Sequence, residues 1–120
     1  MSPSSLSWLA RWYRMQFNGD WEHCFGVRIT TLDNPGWNVQ IDITETELDG
    51  LTIDYLLEER SETDWFGIAV QKQQFNAGGD PSKLNFLLQR FQELVEHRHQ
   101  GTLPEYLGTT YPNRWRIAKD

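Results

Sequence analysis

The sequence predicts an α+β fold: an N-terminal helix, an antiparallel sheet of about four strands, a long C-terminal helix and a packed tail. Three patterns lead there. Trp37, Val39, Ile41 and Ile43 alternate strictly with polar residues, the period of a half-buried strand. Leu6, Leu9, Tyr13 and Phe17 recur at three- and four-residue spacing, the period of an amphipathic helix. Leu84, Leu87, Leu88, Phe91, Leu94 and Val95 repeat that helical stripe near the other end.

In chain order, the first helix is expected from Ser4 or Ser5 to Phe17, with one of the two serines as N-cap and Asn18-Gly19 as the stop. A hairpin follows, Cys24–Leu32 paired with Trp37–Thr44. Its turn, Asn34-Pro35-Gly36, has Pro where φ is preset and Gly where a type II turn needs positive φ. Thr44 to Leu51 is a polar connector. Leu51 to Glu62 reads as a strand over its later half, because Ser61-Glu62-Thr63-Asp64 resembles a turn into a clear strand, Trp65–Val70. The four strands then form a meander. Phe75-Asn76-Ala77-Gly78-Gly79 reads as a loop, and Asp80 with Pro81 as the start of the last helix, with Arg98 or His99 suited to its negative end. Beyond it, Leu103, Tyr106, Leu107, Tyr111, Trp115 and Ile117 are too many large apolar groups for a disordered tail. A packed segment is expected there, with a short helix at Leu103–Leu107.

At 120 residues the chain is expected to form a single domain, 1–120. Six Trp, six Phe and four Tyr supply its core. The lone cysteine, Cys24, excludes an intramolecular disulfide. The first residues are broken by Arg11 and Arg14 before any leader-like apolar run, and no apolar stretch approaches the ~20 residues of a membrane helix. A cytoplasmic protein is expected.

Net charge is −6, and its distribution is uneven. From Asp42 to Asp64 lie Asp42, Glu45, Glu47, Asp49, Asp54, Glu58, Glu59, Glu62 and Asp64 against Arg60 alone, nine acids to one base. Such a run repels phosphate backbones and attracts a basic partner. It also suits a solvated sheet edge kept soluble by charge.

Chemistry-bearing patterns are few. In Glu22-His23-Cys24 the last two residues are adjacent on an expected strand and point to opposite faces, which fits a core Cys24 and a turn-bonding His23 better than a catalytic dyad. A metal site would need several converging ligands, and Asp20, Glu22 and His23 could join Asp33 across the hairpin. His97 and His99 are two apart on a helix and diverge, and no zinc pattern occurs. Gly78-Gly79-Asp80-Pro81-Ser82-Lys83 lacks P-loop spacing and reads as a helix cap. No cofactor or metal is expected. Trp37 and Trp65, at strand starts, suit packing. Trp21, flanked by Asp20 and Glu22, suits a hot spot on an acidic surface.

Gly19-Asp20-Trp21-Glu22-His23, Thr31-Leu32-Asp33-Asn34-Pro35-Gly36-Trp37 with Ile41-Asp42-Ile43, Glu59-Arg60-Ser61-Glu62-Thr63-Asp64-Trp65 and Gly79-Asp80-Pro81-Ser82-Lys83-Leu84 occur in that order. With them residues 1–99 resemble the immunity protein 53 family of bacterial polymorphic toxin systems; residues 100–120 form a C-terminal extension. The resemblance implies a cytoplasmic, non-enzymatic protein that binds and neutralises a cognate toxin.

The acidic run then supplies a mechanism: occlusion of a basic active-site face, as a nuclease toxin would present. The expected contact residues are Asp20, Trp21, Glu22, Asp42, Glu45, Glu47, Asp49, Glu58, Glu62 and Asp64. Direct nucleic-acid or membrane binding is not expected. A general protein-interaction module, or a small enzyme built on Asp20, Glu22, His23 or Asp33, is the alternative. The Asp20–His23 and Asp33–Trp37 motifs also suit turns that define the fold.

Overall fold

The computed structural model describes residues 4–99 and has the expected α+β architecture. Helix α1 spans Ser5–Met15 and a single helical turn, α2, spans Trp21–Cys24. Strands β1 (Val27–Leu32), β2 (Gly36–Asp42), β3 (Ile53–Ser61), β4 (Asp64–Gln71) and β5 (Gln74–Gly79) follow, then helix α3 (Leu84–His99). The expected packed tail and the helix at Leu103–Leu107 lie outside the described residues.

The Ser4 side chain caps α1, accepting from the Ser7 backbone N–H at 3.1 Å. The helix ends at Met15, two residues before Phe17. The hairpin β1–β2 forms as expected, with Ile29 opposite Val39 and Val27 opposite Ile41. Its first strand starts at Val27 rather than Cys24, because residues 21–24 coil into α2. Cys24 is therefore exposed rather than in the core, and His23 lies on that helical turn rather than on a strand.

The sheet has five strands, ordered β1-β2-β5-β4-β3, and every pairing is antiparallel. It is not a meander. The chain leaves β2, crosses to the far edge for β3, and returns through β4 to β5, which inserts beside β2. The residues read as a loop, 75–79, are thus the central strand. Asn, Ala and Gly are poor strand formers, and the pairing of both edges of β5 overrides that preference. The turn into β5 hides it further. Lys72 and Gln73 both take left-handed φ, 54° and 62°, where hairpins ordinarily place Asn or Gly. Gln73 is held there by three bonds: its backbone carbonyl accepts from Ile43 N–H, its side-chain oxygen accepts from Gly50 N–H, and its amide donates to Asp49.

Gly36 keeps a negative φ, so the turn is not built on a left-handed glycine. What requires glycine is space: a Cβ there would collide with the backbone carbonyl of Gly79 on β5. The last helix begins at Leu84, three residues after Pro81. Asp80 instead closes a turn, accepting from the backbone N–H and hydroxyl of Ser82 at 2.8 and 2.6 Å.

Helix α3 packs on β2 and β5, and α1 packs on α3, so both long helices lie on one side of the sheet. Between them is an aromatic core. Phe91, fully buried, has its ring centre 4.8 Å from Trp12 and 5.1 Å from Phe75. Val39, Ile41, Phe75, Ala77, Ile68, Val70, Ile53 and Leu56 complete it from the sheet. Two buried indoles hold the 43–52 connector: Trp12 Nε1 donates to Glu47 at 2.7 Å and Trp21 Nε1 to the Thr44 carbonyl at 2.8 Å.

Candidate functional site

With the helices on one face, the alternation of side chains leaves the other face of the sheet open. In register across five strands it carries Thr30, Asn38, Gly78, Gly67 and Leu57. Two glycines therefore face each other at its centre, and the floor there has no side chains. Aromatic rings lean over it from either end. A Cβ on Gly67 would strike the Tyr55 ring, and one on Gly78 would lie 3.8 Å from Trp65 Cη2.

The result is a groove. One hollow of about 470 Å³ is lined by Asn34, Leu57, Glu59, Glu62 and Trp65. A second, about 240 Å³, shares Trp65 and runs over Gly67 and Gly78 between Tyr55 and Asn38. A third shares Ala69 and Asn76 with the second and ends at Asp42, Gln74 and Lys72. Tyr55 is 59% exposed and Leu57 42%. Among the described residues, no base lines the first two hollows.

The acids expected to contact a partner do not form one patch. The strand geometry and the connector divide them, and most of them are held by bonds within the protein. Asp42 accepts from Gly26 N–H at 3.0 Å and from Gln74 at 3.2 Å, with Arg28 at 3.7 Å. Glu47 receives the Trp12 indole. Asp49 accepts from Glu45 N–H and Gln73, bonds that lower its pKa. Asp64 is paired with Lys83 at 2.8 Å. Glu22 accepts from the N–H groups of Asn18 and Gly19; its own backbone N–H first, then these two, hold its pKa down against its desolvation. Asn18 answers by accepting from Asp20 and Trp21 N–H, a reciprocal arrangement like a capping box.

Trp21 is 1% exposed, so it is a core residue and not a surface hot spot. Asp20, Glu45 and Glu62 are exposed, Glu58 half-buried. The motif 19–23 thus builds the α2 turn. The motif 33–37 builds the β1–β2 turn and anchors it, Trp37 Nε1 donating to the Pro81 carbonyl at 3.0 Å.

A second cluster braces the groove from beneath. Asp80, 1% exposed, accepts from Trp65 N–H at 2.9 Å and from Lys83 Nζ at 2.7 Å, and Lys83 also reaches Asp64. Burial alone raises the Asp80 carboxyl; the bonds from Lys83, Ser82 and Trp65 outweigh it and hold the group well below the usual carboxylate range. For Lys83, burial lowers the amine, and Asp64 and Asp80 more than offset that, so its pKa is raised. This knot fixes the backbone of Trp65, and with it the ring that walls the groove.

Asp20, Glu22 and His23 do not meet Asp33. They precede β1 and Asp33 follows it, a six-residue strand away, or roughly 20 Å. Among the described residues no group of three His, Cys, Asp or Glu side chains is placed to hold a metal, and no helix is long and apolar enough to cross a membrane.

Sequence reasoning missed Tyr55, Leu57, Glu59 and the paired glycines as site residues. One signal was present: Tyr55, Leu57 and Glu59 alternate along a strand and must share a face. Which face stays open is not written in that alternation.

A family model described as immunity protein 53 matches residues 6–96. No curated protein and no solved structure matches the chain.

Proposed function

The chain belongs to the immunity protein 53 family, and from that premise we propose that it is a non-enzymatic, cytoplasmic inhibitor. It binds a cognate toxin domain of a bacterial polymorphic toxin system and blocks it sterically. Family membership is the observation that carries this reading. The acids left exposed, among them Glu45, Asp54, Glu59 and Glu62, support an electrostatic component. They would speed encounter with a basic toxin face, and apolar contact would set the rate of release. A nuclease suits that charge, since its own substrate is polyanionic.

The test is affinity capture of the tagged protein from its native cells, followed by expression of each recovered partner alone and with this protein. A stoichiometric partner with a basic domain, toxic alone and harmless in co-expression, is the expected result. A captured toxin that stays toxic in co-expression would overturn the reading. A stoichiometric partner without toxicity would point to a general interaction module.

A further inference from the structure

The geometry points to the open face of the sheet as the toxin-docking surface, with its Trp65 end built to take an arginine side chain of the toxin between the Trp65 ring and the carboxylates of Glu59 and Glu62. This rests on the immunity reading for the identity of the partner. The surface itself rests on its own observations.

The first is composition. The groove has aromatic walls and a floor without side chains, because Gly67 and Gly78 are cross-strand partners. Covering two glycines accounts for the rings of Tyr55 and Trp65 lying over the floor. It does not account for a Tyr that keeps 59% of its surface in water, nor for an exposed Leu57 beside it on the same strand face. Aromatic anchors around a hollow are the usual core of a protein-docking site.

The second is charge. Glu59 sits opposite Trp65 in the β3–β4 register, and Glu62 lies in the turn that follows; both line the hollow that Trp65 walls. Neither forms an ion pair among the described residues, whereas Asp42, Asp64 and Asp80 each face a base. Lys72 lies only in the hollow at the opposite end of the groove. The Trp65 end is therefore negative and the far end mixed.

The third is the match of that end to one side chain. A guanidinium stacks on aromatic faces and donates in-plane to carboxylates at its edge. The Trp65 ring and two unpaired carboxylates in one hollow provide both, and the adjoining hollow, which shares Trp65, adds the Tyr55 ring. A lysine would satisfy the charge without the stacking.

A direct test needs no toxin. The isotopically labelled full chain is titrated at low salt with a hexa-arginine peptide, with hexa-lysine and hexa-glutamate for comparison, while backbone amide and indole signals are followed. The expected result is shifts concentrated at Tyr55, Leu57, Glu59, Glu62 and the Trp65 indole, with hexa-arginine binding tighter than hexa-lysine. Glu59→Lys with Glu62→Lys should weaken hexa-arginine binding about tenfold. Tyr55→Ser should weaken it about threefold at unchanged charge.

A control variant, Glu45→Lys with Glu96→Lys, makes the same change in net charge away from the groove and should leave it nearly unaltered. Shifts centred on the 45–49 connector or on α3, equal loss in the control variant, or no shifts at peptide excess would each overturn the proposal. With a captured toxin in hand, protection that survives Glu59→Lys with Glu62→Lys would remove the groove and leave the immunity reading standing. Localised peptide binding without any toxin partner would do the reverse.

Discussion

The two faces of the sheet are made by the same five strands, and they obey different rules. On the closed face Val39, Ile41, Phe75, Ile68, Val70 and Ile53 are fully buried against the helices. On the open face the central register positions are Gly78 and Gly67, and the large side chains stand at the edges of the hollow. A residue on the first face is fixed by packing density, since interiors tolerate neither voids nor excess volume. On the second it is free of that constraint, and Tyr55, Leu57, Glu59 and Glu62 remain exposed. The difference separates what holds this protein together from what it offers to a partner.

That separation can be broken by measurement. Phe91 lies at the centre of the closed face, touching Trp8, Trp12 and Phe75. Phe91→Ala should destabilise the fold by about 3–5 kcal/mol in urea unfolding. A cost under about 1 kcal/mol would mean that the aromatic core is not the organising element.

Asp80 tests the rim that joins the two faces. Its folded pKa lies below its unfolded one, so its contribution is present at neutral pH and fades as pH falls below the ordinary Asp value near ~3.9. Asp80→Asn should therefore cost about 2–3 kcal/mol at neutral pH, and the gap to the parent should narrow in acid. An unchanged gap in acid would show that the carboxylate charge is not what stabilises.

Two glycines sharpen the contrast. Gly36→Ala meets the rigid backbone of Gly79, whereas Gly67→Ala meets the Tyr55 ring, which is free to swing toward solvent. Melting curves should show a loss of about 1–3 kcal/mol for the first and under about 1 kcal/mol for the second. Only the second should impair hexa-arginine binding out of proportion to stability.

The smallest effect on stability is expected for Glu59→Lys with Glu62→Lys, within about 0.5 kcal/mol of the parent. The same variant should slow toxin association and flatten its salt dependence. Equal stability and an unchanged on-rate at low salt would return these acids to the role of solubilising a sheet edge.

Much of this architecture was legible in the residues. The stripe Leu84–Val95 and the alternation Trp37–Ile43 are local periods, and a local period reports local structure. The turn at Ser61–Asp64 was readable for the same reason, and β4 follows it. The central strand was not legible. Gln74–Gly79 carries two glycines, and its entry turn uses Lys72 and Gln73 in a conformation their side chains disfavour. Both are sustained by partners distant in sequence: β2, Asp49 and Gly50.

The same distance limit governs the site. Proximity in sequence suggested one acidic surface from Asp42 to Asp64. Pairing with Arg28, Trp12, Gln73 and Lys83 divided it into bonds that serve the fold and carboxylates that face water. The sequence alone determined the helical faces, the hairpin, the charge and the family to which these motifs belong. The tertiary structure decided which strand is central, which face of the sheet stays open and which acids remain unpaired. Those outcomes depend on contacts between residues far apart in the chain, and no local pattern encodes them.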